Sequence, residues 1–139
     1  YKLYKSDSRV PEYINLEGNI TKETFLKYVD SLFIIDFEGK RLIEAYYACF
    51  YLGFRNEEIK SKLKQGVSIA RNNYKKCFEM FAEKGIIQED NITIAVDYIL
   101  SAVAGVTKVA DIEYGEQSIN QELVALHKNN LCRLLKFVE

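Results

Sequence analysis

Apolar side chains recur every three or four residues through most of this chain, which is the spacing of one face of an α-helix. The pattern predicts helices over about 21–35, 37–52, 57–84, 92–113 and 118–138. The stretch 1–20 shows no such period and contains the turn formers Pro11 and Gly18, so it is predicted to be a linker or tail. The predicted fold class for 21–139 is therefore all-α, a helical bundle of about five helices.

Residues that start or stop helices stand at several of these boundaries. Asn19 or Thr21 precedes the first helix and Asn56 precedes the third, where a side-chain oxygen can accept a hydrogen bond from the first turn. Gly85 and Ile86 follow the third helix, which predicts a C-terminal stop with the apolar side chain folding back.

The second and third helices differ in how their apolar residues are distributed. From Leu42 to Leu52 only Glu44 is charged, and a helix that is apolar all round is predicted to be central and buried. The third helix has one apolar stripe about 100° wide and polar residues elsewhere, so it is predicted to lie on the outside of the core. The stripe consists of Ile59, Leu63, Val67, Ala70, Tyr74, Cys77, Phe78 and Phe81.

Two blocks of opposite charge follow each other along the chain. Residues 55–76 carry seven basic and two acidic side chains, and residues 82–116 carry two basic and seven acidic ones. Either each block is a solvated outer face, or the two form a dipolar surface that steers a partner. The whole chain has a net charge of -1, so it has no general basic excess for binding nucleic acid.

The residue types that enzymes and metal sites use most are scarce. The sequence contains one histidine, three separated cysteines and none of the glycine motifs that hold phosphates or a serine nucleophile. We therefore expect no catalytic residue, no metal site and no cofactor. Scattered thiols are typical of a reducing cytoplasm, and no apolar run approaches the ~20 residues that span a bilayer, so we expect no membrane partner.

Aromatic residues are abundant, with ten tyrosines and eight phenylalanines. Aromatic stripes usually form plain core, but a buried tyrosine hydroxyl needs a hydrogen-bond partner. The alternative is a small-molecule pocket with apolar walls and a few polar groups. Glu44 is ambiguous in the same way, because it would be a functional group if buried and unimportant if solvated.

The last two predicted helices are apolar over nearly half of their circumference, which is more than packing on one neighbour requires. Two such helices can pair with those of a second copy around a two-fold axis and form a four-helix bundle. The other interpretation is that both are deeply buried in a monomer.

Three segments carry a resemblance to a known family. Phe81–Asp90, followed by the helix Ile92–Ile112, is similar to a junction into a first dimerisation helix, and Ser118–Val138 is similar to a second. Tyr1–Ser6 looks like the end of a DNA-reading helix-turn-helix. Together with the order of the helices, these segments resemble the C-terminal domain of TetR-type transcription regulators over about 20–139.

The resemblance implies the ligand-sensing and dimerisation domain of a cytoplasmic TetR-like repressor. It implies a homodimer that contacts operator DNA only through an N-terminal helix-turn-helix not contained in this chain. Binding of a small hydrophobic or aromatic ligand would then change DNA binding. The pocket is expected among the second, third and fourth helices, at Glu44, Tyr47, Phe50, Tyr51, Tyr74, Phe78 and Tyr98.

The dimer interface implied by the resemblance lies on the last two helices. Its expected residues are Val103, Val106, Leu123, His127, Leu131 and Leu134. The alternative function is a helical protein–protein interaction module with no small-molecule ligand, in which the aromatic interior is solid core.

Overall fold

The computed structural model describes residues 20–33, 48–113 and 121–137, and the regular elements within these ranges are α-helices. Their bounds are α1 Lys22–Leu32, α2 48–53, α3 Glu57–Glu83, α4 Ile92–Glu113 and α5 Gln121–Leu134. The predicted all-α fold class is confirmed. The predicted linker up to Asn19, and Glu44 and Tyr47 of the second helix, lie outside the described residues.

Local hydrogen bonds explain where α1 and α3 begin. The Thr21 hydroxyl oxygen accepts a hydrogen bond from the Thr24 amide at 3.2 Å, so Thr21 caps α1. The Asn56 Oδ1 atom accepts one from the Ile59 amide at 3.1 Å and caps α3 as predicted. Helices α3 and α4 start and end within one residue of their predicted limits.

The stop after α3 is a Schellman motif. The Ile86 amide donates to the Phe81 carbonyl at 3.1 Å, and the Gly85 amide donates to the Ala82 carbonyl at 2.9 Å. Gly85 has a φ of 73°, and Ile86 turns back into the core, as the sequence predicts.

Helix α5 ends in the same motif, although its left-handed residue is not a glycine. The Phe137 amide donates to the Cys132 carbonyl at 2.9 Å, and the Lys136 amide donates to the Arg133 carbonyl at 3.1 Å. Lys136 has a φ of 53°. This turn ends α5 at Leu134, four residues before the predicted end.

The main core lies where α1 meets the C-terminal half of α3, the first half of α4 and the end of α5. Phe25 of α1 is fully buried and contacts the Phe81 ring edge-on, with ring centroids 5.2 Å apart, and the Phe137 ring in a stack at 4.8 Å. Tyr28, one turn later, packs edge-on against Phe78 at 5.8 Å. Edge-on and offset aromatic pairs are favourable beyond their buried area.

A smaller apolar cluster joins the end of α1 to the middle of α4 and the start of α5. Its buried members are Phe33, Ala102, Val106 and Val124.

The loop between α3 and α4 is held against the end of α5 by a backbone hydrogen bond. The Gln88 amide donates to the Leu135 carbonyl at 2.9 Å.

The apolar stripe of α3 is buried over only part of its length. Cys77, Phe78 and Phe81 lie in the core, whereas Leu63 and Val67 are partly exposed. The prediction of a central, buried second helix is wrong for the described end of α2, where Phe50 is 47% exposed and Tyr51 is 64% exposed. These side chains are exposed because the segment packs beside the N-terminal half of α3 and away from the main core.

An ion pair connects the two charge blocks. Arg71 of α3 bonds through its guanidinium to the Asp97 carboxylate of α4. A second pair joins Lys128 of α5 to Asp30 of α1 at 2.8 Å. All four side chains retain solvent exposure, so each pair is worth about 0–1 kcal/mol and orients the helices more than it stabilises them.

Within the described ranges, no helix has the length and apolar character needed to span a membrane.

The two Schellman motifs predict opposite effects for two glycine exchanges. Gly85→Ala is expected to lower the free energy of unfolding by about 1 kcal/mol, because the left-handed backbone disfavours a Cβ atom. The space beside Gly85 is open, so no clash adds to this cost. Lys136→Gly is expected to raise the free energy of unfolding by about 0.5–1 kcal/mol by relieving the same strain. Chemical denaturation measures both changes in the free energy of unfolding. Changes of the same sign would contradict the assignment of a strained left-handed backbone to positions 85 and 136.

Candidate functional site

An open cavity of about 390 Å³ lies between the end of α2 and the N-terminal half of α3. We call it the α2–α3 groove. Its volume is within the range of small-molecule pockets. Its described lining residues are Phe50, Gly53, Phe54, Lys60, Leu63, Lys64, Val67, Ser68 and Arg71.

Helical spacing and one glycine create this groove. The α3 residues that line it lie at positions 60, 63, 64, 67, 68 and 71, and this spacing of i, i+3, i+4 and i+7 places them on one face of the helix. On the other side, Gly53 brings α2 close, since a Cβ atom there would lie 2.9 Å from the Leu63 Cδ1 atom. The rings of Phe50 and Phe54 meet edge-on at 5.3 Å beside it and form an apolar wall.

The groove combines apolar walls with positive charge. Leu63 and Val67 form the floor from α3, and three of the described lining residues (Lys60, Lys64 and Arg71) are cations while none is acidic. Arg71 is already bonded to Asp97 of α4, so the groove is connected to that helix by an ion pair. This arrangement can hold an apolar molecule and interact with a charge on it.

The described residues of the predicted pocket do not come together in this groove. Phe50 lines it, and Tyr51 beside it points largely to solvent. Tyr74 packs against the main core and Phe78 is fully buried within it, so these two positions fit the plain-core interpretation. Glu44 and Tyr47 lie outside the described residues.

Tyr98, also predicted to line the pocket, forms a polar cluster with a predicted dimer residue. The Tyr98 hydroxyl and the His127 Nδ1 atom share a hydrogen bond of 2.5 Å. The side-chain amide nitrogen of Asn130 donates a second hydrogen bond to that hydroxyl at 3.2 Å. The Phe33 ring lies parallel to the imidazole at 6.1 Å. The cluster ties α1, α4 and α5 together within the chain.

The other predicted dimer residues divide between core and partly covered surface. Leu131 is fully buried and Val106 nearly so, which means that neither side chain is available on the surface of the chain for contact with a second copy. Val103, Leu123 and Leu134 are half-buried. Larger exposure on these helices occurs at residues that were not predicted, Ile94 and Leu126, which are 54% and 52% exposed.

Sequence reasoning missed most of the groove. Lys60, Leu63, Lys64 and Val67 alternate charge and apolar character on one helix face, and this pattern was the available signal. The charge pattern alone assigns the lysines to a basic block, and the periodicity alone assigns the apolar residues to the core. Their combination on one face is what lines the groove.

The described residues hold no metal site, and the Cys77 thiol among them is unreactive. No group of three or more potential ligand residues is placed to hold a metal ion there. Cys77 is buried in the core, and burial raises the pKa of its thiol, so the sulfur stays protonated and weakly reactive.

Comparison with known proteins identifies the family. Residues 20–137 match the family described as tetracyclin repressor-like, C-terminal domain. Because this match covers most of the sequence, the chain belongs to that family, and the resemblance to TetR-type regulators is confirmed. Such domains have regulatory rather than catalytic roles. No curated protein and no solved structure matches the chain significantly.

Two phenylalanine exchanges distinguish groove wall from core. Phe78→Ala is expected to lower the free energy of unfolding by about 3–5 kcal/mol, as for a filled interior site. Phe50→Ala is expected to lower it by less than about 1 kcal/mol, because much of that ring already contacts water. Urea denaturation measures both, and a Phe50→Ala loss as large as that of Phe78→Ala would show that the groove is core.

Proposed function

We propose that this chain is the ligand-sensing and dimerisation domain of a TetR-like transcriptional repressor. The observation that carries the proposal is the family match over residues 20–137. A small hydrophobic or aromatic molecule binds the domain and changes operator binding by an N-terminal helix-turn-helix. Ligand binding does so by shifting the population between two geometries of a homodimer. The protein acts in the cytoplasm and has a regulatory, not a catalytic, role.

The α2–α3 groove is the proposed ligand site. It has the mixed apolar and polar lining that small-molecule sites use, and its aromatic wall is partly exposed and therefore able to gain contacts. The Arg71–Asp97 ion pair supports coupling between ligand binding in the groove and the position of α4, because it joins a lining residue to that helix. A ligand that moves Arg71 would thereby move a group on α4.

Helices α4 and α5 are the proposed dimer surface. Ile94, Ser101 and Gly105 follow each other at helical spacing on one face of α4, and all three are exposed. Outside the backbone of α4 itself, no atom of the described residues would lie within 4 Å of a Cβ atom built at Gly105, which leaves room there for another helix. Half-buried Leu123 and exposed Leu126 provide apolar surface on α5.

A second candidate function is a protein–protein interaction module. The specific observation in its favour is the exposure of consecutive apolar residues around α2, with Phe54 75% exposed. Exposed apolar surface of this kind often marks a binding site for another protein. Under this hypothesis the groove admits a side chain of a partner and no free small molecule.

A thermal-shift screen of small apolar and aromatic compounds tests ligand sensing. A compound present at 100 times its Kd is expected to stabilise the domain by about 2.7 kcal/mol. The Ser68→Trp variant, which fills the groove, should lose the response. The matched Gln65→Trp variant should keep it, because Gln65 is exposed on the same helix and does not line the groove. If no compound stabilises the domain, the interaction module becomes the better hypothesis.

Gly105→Glu tests the dimer surface by sedimentation. The wild-type chain is expected to sediment at twice its 16.1 kDa, through an interface of about 1,600 Å². The variant is expected to sediment as a folded monomer, because Glu favours helix over Gly by about 0.5–1 kcal/mol but blocks a close helix contact. Gln65→Glu is the charge-matched control and should remain dimeric.

Two sedimentation results would contradict this proposal. A wild-type mass near 16.1 kDa at micromolar concentration would exclude the homodimer. A dimeric Gly105→Glu variant would place the interface elsewhere.

A charge at Leu131, by contrast, is expected to unfold the domain rather than dissociate a dimer, because that side chain is fully buried within one protomer.

A further inference from the structure

We infer that the α2–α3 groove selects amphipathic anions. The apolar part of the ligand lies between the Phe50–Phe54 wall and the Leu63–Val67 floor, and its acidic group contacts Lys60 and Lys64. This inference rests on the proposed function, since it names the chemical class of ligand for the proposed site.

The spacing of the two lysines suits a single acidic group. Lys60 and Lys64 are four residues apart on α3, so they stand one above the other on the same helix face with Cβ atoms about 5–6 Å apart. Both side chains are long and exposed, and both ammonium groups can therefore converge on one carboxylate, sulfonate or phosphate.

No described carboxylate neutralises these two lysines. The nearest acidic residues along α3 are Glu57 and Glu58, which do not line the groove, and Glu58 lies 3.8 Å from Lys62. Within the part of the chain that the structure describes, no ion pair involves Lys60 or Lys64. A cleft lined by one sign of charge concentrates ions of the opposite sign.

The third cation of the groove has a different status. Arg71 is eleven residues beyond Lys60, about 16 Å farther along the helix axis, and its guanidinium is bonded to Asp97. Its charge is therefore largely compensated. Removing the Asp97 carboxylate should release a third cation toward the groove and strengthen anion binding, an effect that a damaged fold would not produce.

Three probes with the same alkyl chain and different head groups test the charge preference. Decanoate, 1-decanol and decyltrimethylammonium are titrated into the full chain by isothermal calorimetry. The two ions are kept below their micelle-forming concentrations and decanol below its solubility limit. Decanoate is expected to bind about tenfold more tightly than decanol at low salt, with the cation weakest. This advantage should shrink as salt is added, because exposed charges are screened.

Variants assign the preference to named residues. Lys60→Gln combined with Lys64→Gln should weaken decanoate binding about fivefold to tenfold and decanol binding much less. Lys62→Gln is the matched control, since Lys62 is a lysine of the same helix that does not line the groove. Asp97→Asn should strengthen decanoate binding about threefold.

The outcomes separate this inference from the proposed function. Equal binding of the three probes, lost in Ser68→Trp but not in the double lysine variant, would overturn the anion preference and leave the groove as a ligand site. Binding of decanoate that survives Ser68→Trp would place the anion elsewhere and overturn the inference. Failure of all three probes, together with a thermal-shift screen without hits, would overturn both proposals.

Discussion

The structure depends on the aromatic contact between α1 and the C-terminal half of α3. Phe25 and Tyr28 meet Phe78 and Phe81 there, and this contact fixes one end of the longest helix in the core. Because α1 covers only that end, the N-terminal half of α3 extends beyond the main core with part of its apolar face uncovered. The α2–α3 groove exists because the aromatic anchor is at one end of α3 and not at its middle.

The start and the end of α3 could be predicted from the sequence because their causes are local. Asn56 and Gly85 act through hydrogen bonds within a few residues, so their roles follow from composition and spacing. The burial of individual positions depends on the crossing of distant helices. Leu63 and Phe78 belong to the same helical stripe, yet only Phe78 is covered by α1, and the periodicity of α3 carries no information about that difference.

The candidate site was harder to predict than the fold for the same reason. The sequence contains ten tyrosines and eight phenylalanines, but their number does not show which rings meet each other and which leave space. Tyr98 and His127, placed by sequence reasoning in two different sites, share a hydrogen bond across 29 residues of sequence. Only the packing of α4 on α5 brings these two side chains together.

The setting of His127 has a practical consequence for spectroscopy. It is the only histidine in the sequence, so its two imidazole C–H proton signals in an NMR spectrum can be assigned without distinguishing between histidines. The ring lies between Phe33 of the α1 cap and Tyr98 of α4, whose aromatic ring currents depend steeply on geometry. A movement of α1 or α4 against α5 would therefore register in two resonances, and the fold carries its own reporter of helix displacement.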